Sequence, residues 1–547
     1  MQRRSFLLLF FLLPLSALAC SWGAIERQNN KTYRRPVQAT GEYRALNLHQ
    51  QDFLYLTSIL AETYPLPVQE QFPEPGYETL KRQVLEQLEQ PVDDRELALI
   101  LDGFLAKLGN GHTGVALDPV EQEERLYAID LTWNDKVEVW NLERKLGREW
   151  IGAEVTAIQG IPIEEVLQRL EAFVPADNRF SRRQRALYFL MMPWYVKRLG
   201  LDSPQGTLEV SVRRAGPEGP VERTLSVPAI AKEHLSFFVR PAGRVPIKTS
   251  AEPLYYDIYP ERGFAYFRFG TFLDHIAVTD AVDEAAKPFA VPMSRLYLRR
   301  AVRQQGLVTL GQLLEDLFAE IEENHIEHLV VDLRGNGGGD GRLGKQFLYF
   351  LETDKDLADY RKSVKMSRLF RQHFPNAYRD MLLRYRVEHG KEMPATGLVE
   401  ASGRSTATGF FREVEDRKSP MYLPPPSKKF DGKLYLLVNS GSFSAAAEFA
   451  ALIQDNRLGL IVGTPTGGRP SGPTGRVRVS LPNSHLPVSM AHTLVERPDA
   501  ARRDDEAVFP NVLIRTRPED FLSGRDASLE WVLARIAEEK GVQVAAH

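Results

Sequence analysis

From Tyr255 onward, short apolar runs alternate with longer runs of helical periodicity. The short runs, such as HLVVDLR and LYLLVN, are rich in Val, Leu and Tyr. The longer runs, such as TLGQLLEDLFAEIEEN, carry apolar residues at three- and four-residue spacing. These are the patterns of buried strands and amphipathic helices, and their alternation predicts a layered α/β core. Residues 355–430 are polar by comparison and predict a surface excursion from that core.

Two regions with other patterns precede the core. Residues 46–108 have helical periodicity interrupted by prolines, and Asp93 and Asp94 offer capping side chains before the third helical run. This pattern predicts a small helical domain that ends in the turn GNGHTG. Residues 121–240 predict strand pairs followed by helices, with a hairpin around residues 216–219. Strand pairs with a helix are compatible with a PDZ-like module.

The first twenty residues resemble an export signal. Arg3 and Arg4 precede the apolar run SFLLLFFLLPLSALA, which ends in small residues before Cys20. The run is shorter than the roughly 20 residues of a membrane span, although an uncleaved anchor is the alternative. We therefore expect an exported protein of the periplasm or cell envelope. Cys20 resembles the lipid-modified cysteine of bacterial lipoproteins, whereas ordinary cleavage would leave it as the mature N-terminus, so a lipid there is the one membrane attachment that we expect.

The composition argues against a nucleic-acid-binding protein and against a disulfide-stabilised one. The chain has 69 basic and 72 acidic residues, a net charge of −3, and gives no electrostatic basis for a nucleic-acid partner. Its single cysteine excludes an internal disulfide. A length of 547 residues suits about three domains. The predicted divisions are a signal peptide (1–19), a tether (20–45), a helical domain (46–120), a mixed, PDZ-like domain (121–250) and the α/β core (251–547).

One stretch, LYLLVNSGSFSAAAEFAALIQD at residues 434–455, combines a strand, a turn and a helix. Ser444 stands where the turn becomes the helix. The N–H groups of a first helical turn have no helical partners and can hold a negatively charged oxygen. Ser444 is therefore a candidate nucleophile. The simpler alternative is that Ser444 only caps the helix.

A glycine-rich loop, DLRGNGGGD at residues 332–340, follows a predicted buried strand. Consecutive glycines let backbone N–H groups approach a ligand. Residues 339–344 match a dinucleotide pattern, and residues 339–345 match a phosphate loop except that Gln346 replaces the Ser or Thr that binds magnesium. A tight strand–helix turn is the commoner explanation. A nucleotide-dependent enzyme is therefore the weakest of three functional hypotheses.

The two motifs together resemble the tail-specific (C-terminal-processing) serine protease family. The loop DLRGNGGG is followed by a strand ending in LVN and by SAAAEF, and Asp455 comes 11 residues after Ser444, before LGLIVG and TPTGG. The resemblance extends over most of residues 46–530. It implies a ClpP/crotonase-like layered α/β core and a serine-type peptidase that acts on peptides or unfolded proteins. It implies no cofactor and no metal.

The general base separates two branches of this family. One branch uses a lysine after the TPTG-like turn, but this chain has Arg469 there, and arginine remains protonated. The chain is more similar to the branch of the tricorn core protease and of interphotoreceptor retinoid-binding protein, where a histidine lies in a pattern such as LxDGHT. Here LGNGHT makes His112 the expected base, with His492 as the competitor. A histidine titrates near pH 6.5 and can accept a serine proton.

The same resemblance implies the remaining catalytic groups. The tricorn-like branch has an orienting glutamate in a segment like ExxGVxPD; alignment on its proline places Asp504 there, with Glu506 two residues away. The expected oxyanion donors are the backbone N–H of Ala445 and that of Gly337 or Gly338.

The leading hypothesis is thus a serine peptidase in which His112 deprotonates Ser444 and an acyl-enzyme forms. The alternative is a non-catalytic ligand- or peptide-binding protein on the same fold, because the retinoid-binding branch carries hydrophobic ligands. Contact between His112 and Ser444 within hydrogen-bond distance is the feature that separates the two.

Overall fold

The computed structural model describes residues 43, 45–116, 121–201, 206–232, 252–279, 309–353, 356–402, 409–502 and 504–540. The expected signal peptide, Cys20 and most of the expected tether lie outside these residues. None of the helices within the described ranges combines the length and the apolar character that a membrane crossing needs.

The N-terminal region is helical, as predicted. Asn47 closes a capping box on the first helix, and the Asp93 side chain accepts a hydrogen bond from the first turn of the third. The buried faces of these helices share one hydrophobic cluster with residues 477–491. The helical region is therefore packed onto the C-terminal half of the chain. Its elements are α1 (Leu48–Thr63), α2 (Tyr77–Gln87), α3 (Asp94–Leu105) and, after a turn over residues 109–113, β1 (Gly114–Val115).

The middle region is a seven-stranded sheet with three helices and a hydrophobic cluster of its own. The predicted hairpin is confirmed, since Gly216 pairs with Gly219 between β7 and β8. The strand order is β2-β8-β7-β5-β4-β3, and β6 pairs with β5. The elements are β2 (Arg125–Tyr127), β3 (Ile129–Trp133), β4 (Val137–Leu142), β5 (Glu154–Ile158), β6 (Ile161–Pro162), α4 (Ile163–Glu171), α5 (Arg179–Phe189), α6 (Pro193–Arg198), β7 (Thr207–Gly216) and β8 (Gly219–Ala231).

The predicted layered α/β core is confirmed. Its six-stranded sheet has the order β20-β15-β14-β11-β10-β9, and all neighbours are parallel except β9 and β10. Helices cover both faces of the sheet, so its strands are buried on both sides and have nearly continuous apolar sequences. The elements are β9 (Leu254–Tyr259), β10 (Phe264–Phe269), α7 (Leu310–Glu323), β11 (His328–Asp332), α8 (Arg342–Leu348), β14 (Lys433–Val438), α12 (Ala445–Asp455), β15 (Leu460–Gly463), β20 (Val512–Leu513), α13 (Pro518–Ser523) and α14 (Ala527–Glu539).

The polar segment after α8 is more ordered than its composition predicts. It forms strands that join a second sheet, in the order β13-β12-β19-β16, and two helices that cover a small apolar cluster. A three-stranded sheet, β1-β18-β17, links the N-terminal turn to the core. The elements are β12 (Arg361–Met366), α9 (Arg368–His373), α10 (Pro375–His389), β13 (Gly397–Ser402), α11 (Arg412–Glu415), β16 (Gly472–Thr474), β17 (Val477–Ser480), β18 (Pro487–Met490) and β19 (Thr493–Glu496).

Candidate active site

Ser444 occupies a sharp turn between the end of β14 and the start of α12. Its backbone has φ 54° and ψ −125°, a conformation that residues other than glycine rarely adopt. The side chain makes no capping hydrogen bond to the helix that it precedes. The N-cap interpretation is therefore wrong. The strained turn instead presents the hydroxyl outward, in the manner of a nucleophile held between a strand and a helix.

Two glycines hold this turn from either side. A Cβ added to Gly338 would lie 2.7 Å from the Cβ of Ser444 and 2.9 Å from the N of Ala445. A Cβ added to Gly468 would lie 2.8 Å from the N of Ser444. Contacts this short do not occur, so both positions require glycine. The glycine-rich loop and the later TGG turn therefore clamp the serine between them.

His112 reaches Ser444 from the other end of the chain. Its Nε2 lies 2.9 Å from Ser444 Oγ, and its ring stacks on Phe443 with centroids 4.7 Å apart. The turn that carries it is fixed because Asn110 donates a 2.7 Å hydrogen bond to the carbonyl of Pro473. The structure therefore brings together the two residues that the sequence analysis paired.

The environment of His112 keeps its ring neutral. The side chain is only 3% exposed, and burial together with the positive charge of Arg476 lowers the pKa of His112 to about 3. His492 contributes in the same direction. A neutral imidazole has one ring nitrogen free to accept a proton at neutral pH. The competitor His492 is itself buried and packs against Phe370 and Phe374.

Asp177 is the carboxylate beside His112, and the sequence analysis missed it. Its Oδ1 lies 4.0 Å from Nδ1 of His112, which has no hydrogen-bond partner among the described residues. The carboxylate accepts hydrogen bonds from the backbone N–H of Gly111 at 2.6 Å and of Arg469 at 3.3 Å. Burial raises the pKa of Asp177, and these donors oppose that rise. A shift of about an ångström would bring it into contact with the histidine.

The sequence offered only a weak signal for Asp177. The adjacent Asn178 caps α5 by accepting from the N–H of Ser181, so the pair looks like an ordinary helix start. Asn178 also donates to the carbonyls of Thr466 and Glu506, which ties this turn to the core. Two consecutive polar residues, Asp177 and Asn178, before a helix in a buried segment are the signal that could have identified this carboxylate.

The structure does not bring Asp504 to His112. Within the described residues, its carboxylate contacts Arg497 at 3.4 Å and Arg502 at 3.2 Å. Arg497 is almost fully buried and also pairs with Asp455 at 2.7 Å. Asp504 therefore helps to neutralise a buried arginine, a role that alignment on a proline could not distinguish from a catalytic one. The Glu506 side chain pairs with Arg179 at 3.3 Å.

Of the three expected oxyanion donors, the structure leaves two available. The N–H of Gly338 already donates to Asn336 Oδ1 at 2.8 Å, which corrects its expected role. The N–H groups of Gly337 and Ala445 have no partner in the part of the chain that the structure describes. Ala445 begins α12, where the helix dipole adds to the attraction for an anion. Gly337 and Ala445 are therefore the available pair.

The site opens into a large cleft. The cleft has a volume of about 1340 Å³ and lies between the middle region and the core, with His112, Phe443 and Gly337 on its wall. Ser444 lines a smaller adjoining pocket of about 160 Å³ that shares His112 with the cleft. An extended chain lying in the cleft could place one of its carbonyl carbons beside Ser444 Oγ, with the carbonyl oxygen towards the N–H groups of Gly337 and Ala445.

The residues of the glycine-rich loop do not form a phosphate site. Lys345, the lysine of the phosphate-loop pattern, is ion-paired with Asp359. The N–H of Asp340 donates to the carbonyl of Phe272. This backbone N–H, which a phosphate-binding loop would point at the phosphate, is therefore already occupied. Across the described ranges, no group of three or more His, Cys, Asp or Glu side chains could hold a metal ion.

Comparisons with known proteins identify a family domain and similar folds. Residues 302–498 match the model of peptidase family S41. The crystal structure of mature CPAF superposes with a TM-score of 0.56 at 16% identity, covering 91% of this chain and 99% of that one. Mature CPAF complexed with lactacystin gives 0.55 at 17% identity, covering 90% and 98%. At these identities the likeness establishes the fold alone.

Two further comparisons add no support for a particular branch of the family. The tricorn protease reaches a TM-score of only 0.30 at 13% identity, over 90% of this chain and 37% of that one, which is too low to support the tricorn-like branch. No curated protein sequence matches the chain significantly. The family match covers the glycine-rich loop and Ser444 within one continuous segment. Residues 302–498 therefore form a peptidase family S41 domain, and the chain is a serine-type peptidase.

Proposed function

We propose that the protein hydrolyses peptide bonds through an acyl-enzyme on Ser444, with His112 as the general base. The observation that carries this proposal is the 2.9 Å contact between His112 Nε2 and Ser444 Oγ on a strained turn. The same contact favours a peptidase over the non-catalytic binding protein, because a binding role does not require these side chains to meet.

The proposed reaction begins with proton transfer. His112 Nε2 takes the proton of Ser444 Oγ while the oxygen attacks the peptide carbonyl. The oxyanion that forms accepts hydrogen bonds from the N–H groups of Gly337 and Ala445, each worth about 3 kcal/mol in the transition state. The protonated His112 then gives its proton to the leaving amine. Water, activated by the same nitrogen, releases the acyl group.

Asp177 completes the proposal as a positioning residue. In the free protein the neutral His112 needs no counter-charge, and the 4.0 Å separation is compatible with that. Once His112 carries the proton, attraction between imidazolium and carboxylate would shorten this separation and stabilise the charged ring. The buried setting strengthens the attraction, because few water molecules screen it.

The site of action belongs to the proposal as well. We infer from the N-terminal sequence that the protein is exported to the periplasm or cell envelope, with or without a lipid on Cys20. Mass spectrometry of the protein isolated from whole cells of its native host tests this inference. A lipid-modified N-terminal Cys20 supports the anchored form, an unmodified Cys20 supports ordinary cleavage, and an intact Met1 contradicts export with cleavage.

The catalytic proposal is tested with unstructured peptides. Protein lacking residues 1–19 and its Ser444→Ala variant are incubated with a peptide mixture, and the products are identified by mass spectrometry. Cleavage by the parent alone supports the proposal and gives the sequence preference. Equal cleavage by the variant would place the nucleophile elsewhere, and circular dichroism of both proteins controls for folding.

A further inference from the structure

The charges on the cleft wall are strongly one-sided. Seven arginines but only three aspartates line the cleft. The chain as a whole is slightly acidic, so this excess of positive charge is local. Walls of one charge sign concentrate ligands of the opposite sign.

Four of the seven arginines already have acidic partners. Arg268 and Arg334 pair with Asp332, Arg515 pairs with Asp135 at 2.9 Å, and Arg179 pairs with Glu506 at 3.3 Å. The excess charge is therefore concentrated on the other three: Arg185, Arg476 and Arg478.

Arg476 and Arg478 have no hydrogen-bond or ion-pair partner for their side chains among the described residues. Arg478 is in β17 and Arg476 immediately precedes it, so alternation along the strand directs both to the face opposite the buried Val477 and Val479. Both side chains are exposed at the cleft surface. Guanidinium groups presented in this way are free to bind a ligand.

Arg185 reaches the same place from α5. It donates a hydrogen bond to the carbonyl of Pro175. Burial lowers the pKa of Arg185, and the nearby Asp102 and Asp177 oppose that shift. Asp102 offsets it incompletely, because burial raises the pKa of that carboxyl to about 7. Partial enclosure by the cleft and the nearby Arg478 and Arg185 lower the pKa of Arg476, and the opposing effect of Asp177 is smaller.

We infer that Arg185, Arg476 and Arg478 form an anion subsite that binds a carboxylate of the peptide substrate. The inference rests on the proposed peptidase function and specifies its substrate class: peptides that carry an acidic side chain or their free C-terminal carboxylate close to the scissile bond. A planar guanidinium group suits a carboxylate because it can donate two parallel hydrogen bonds to it.

The location of the subsite links binding to catalysis. Arg476 is close enough to His112 to lower its pKa. A carboxylate bound to Arg476 would reduce that positive charge, and the ring would become a stronger base when the substrate is in place. An acidic peptide would thus be favoured both in binding and in the proton-transfer step.

The test uses an otherwise neutral, C-terminally amidated peptide in which one glutamate is moved through every position. Matched peptides carry glutamine instead, and a third set carries glutamine with a free C-terminal carboxylate. Binding to the Ser444→Ala protein is measured by fluorescence anisotropy, and cleavage by the parent is measured as kcat/KM. We expect the best glutamate or free-carboxylate peptide to exceed its neutral match by about tenfold in binding, as for a charge-assisted hydrogen-bonded pair, and by more than that in kcat/KM.

Two variants locate the preference. Arg478→Gln should reduce it to about twofold, because one of the three guanidinium groups is lost. Arg535→Gln, which removes an equal charge from the half-exposed outer face of α14, should leave it unchanged. Dependence confined to the free C-terminal carboxylate would identify the chain end as the bound group, and dependence on glutamate would identify a side chain.

The outcomes separate this inference from the proposed function. Equal binding of acidic and neutral peptides, or a preference that survives in the Arg476→Gln/Arg478→Gln double variant, overturns the subsite. Failure of a fluorophosphonate probe to label Ser444 in the parent protein would overturn the catalytic proposal instead. A carboxylate preference in binding would still support the subsite in that case.

Discussion

Ser444 and His112 are in contact, yet the chain holds them in different ways. Ser444 is fixed by its own strand–turn–helix segment and by Gly338 and Gly468, which approach too closely for any other residue. His112 is fixed by contacts between segments hundreds of residues apart, such as the hydrogen bond from Asn110 to the carbonyl of Pro473. The nucleophile is held by contacts within the core, whereas the base depends on how three regions pack together.

The surroundings of Ser444 and of His112 also differ in how many of the contacts needed for catalysis are already formed. Around Ser444 the turn and the helix N-terminus are already in place, and the N–H groups of Gly337 and Ala445 have no partner among the described residues. Beside His112, the imidazole Nδ1 is unpartnered in the described structure and the nearest carboxylate oxygen is 4.0 Å away. Small movements of the helical or middle region would therefore change the base side first. Activity should be more sensitive to contacts between regions than the fold of the core is.

The largest effect is expected from removal of the base. His112→Ala should reduce kcat/KM by about 10⁴-fold or more, since no other described side chain could take the serine proton in that geometry. His492→Ala is the matched control, because His492 is also a buried histidine near the site but does not contact Ser444. It should lower the melting temperature and leave most of the activity. Comparable losses in both variants would mean that His112 acts only through stability.

The clamp around the serine is the next strongest test. Gly338→Ala would place a methyl group 2.7 Å from the Cβ of Ser444 at a backbone φ of 97°. We expect about a 100-fold loss of kcat from misplacement of the nucleophile. The unfolding free energy should fall by roughly 1–3 kcal/mol.

Gly337→Ala is the control for the clamp. A Cβ at Gly337 would meet nothing within 4 Å, and the backbone N–H is retained. This variant should keep its stability and most of its activity. If Gly338→Ala behaved like Gly337→Ala in a peptide cleavage assay, the clamp would not matter for catalysis.

The third test decides between two carboxylates. Asp177→Asn keeps the size of the side chain but removes its charge, and we expect kcat to fall by about 10- to 100-fold, less than for a carboxylate in direct contact with the base. Asp504→Asn should leave kcat unchanged and cost about 1 kcal/mol of stability through its contacts with Arg497 and Arg502. Steady-state kinetics and chemical denaturation of both variants give the comparison, and the reverse pattern would restore Asp504 as the orienting residue.

The smallest effect is expected in the pH profile. His112 loses its function as a base when it is protonated, and burial together with Arg476 lowers its pKa to about 3. The acid limb of kcat/KM should therefore lie well below pH 6.5, the ordinary value for histidine. Arg476→Gln should move this limb to higher pH, because a positive charge that disfavours the imidazolium is removed. A neutral, amidated peptide separates this effect from carboxylate binding, and an unchanged limb would show that Arg476 does not act on His112.

Features set by local sequence could be predicted. The apolar strands β11 and β14, the Asp93 cap and the turn of Ser444 each depend on a few neighbouring residues, and the structure contains all of them. The pairing of His112 with Ser444 could be predicted only because a family resemblance supplied the long-range information. Periodicity and spacing contain no such information, since 332 positions separate the two residues.

Features that depend on the packing of distant segments were missed. In the sequence, Asp177 resembles part of a helix cap. Its place beside His112 depends on the hydrogen bond from the N–H of Gly111, a residue far away in the chain. The polar residues 355–430 predicted a surface excursion, but β12 lies between β13 and β19 and buries one face. A strand that is buried on one side needs few apolar residues, so its mean composition remains polar.

Catalysis as proposed depends on Ser444 being a nucleophile that His112 activates. The most direct measurement treats the parent protein and the His112→Ala variant with a fluorophosphonate probe and maps the modified residue by mass spectrometry of proteolytic fragments. We expect a single adduct on Ser444 in the parent protein and at least a 100-fold slower labelling in the variant, of the order expected for loss of a general base. An adduct on another residue, or labelling of Ser444 at the same rate without His112, would contradict it.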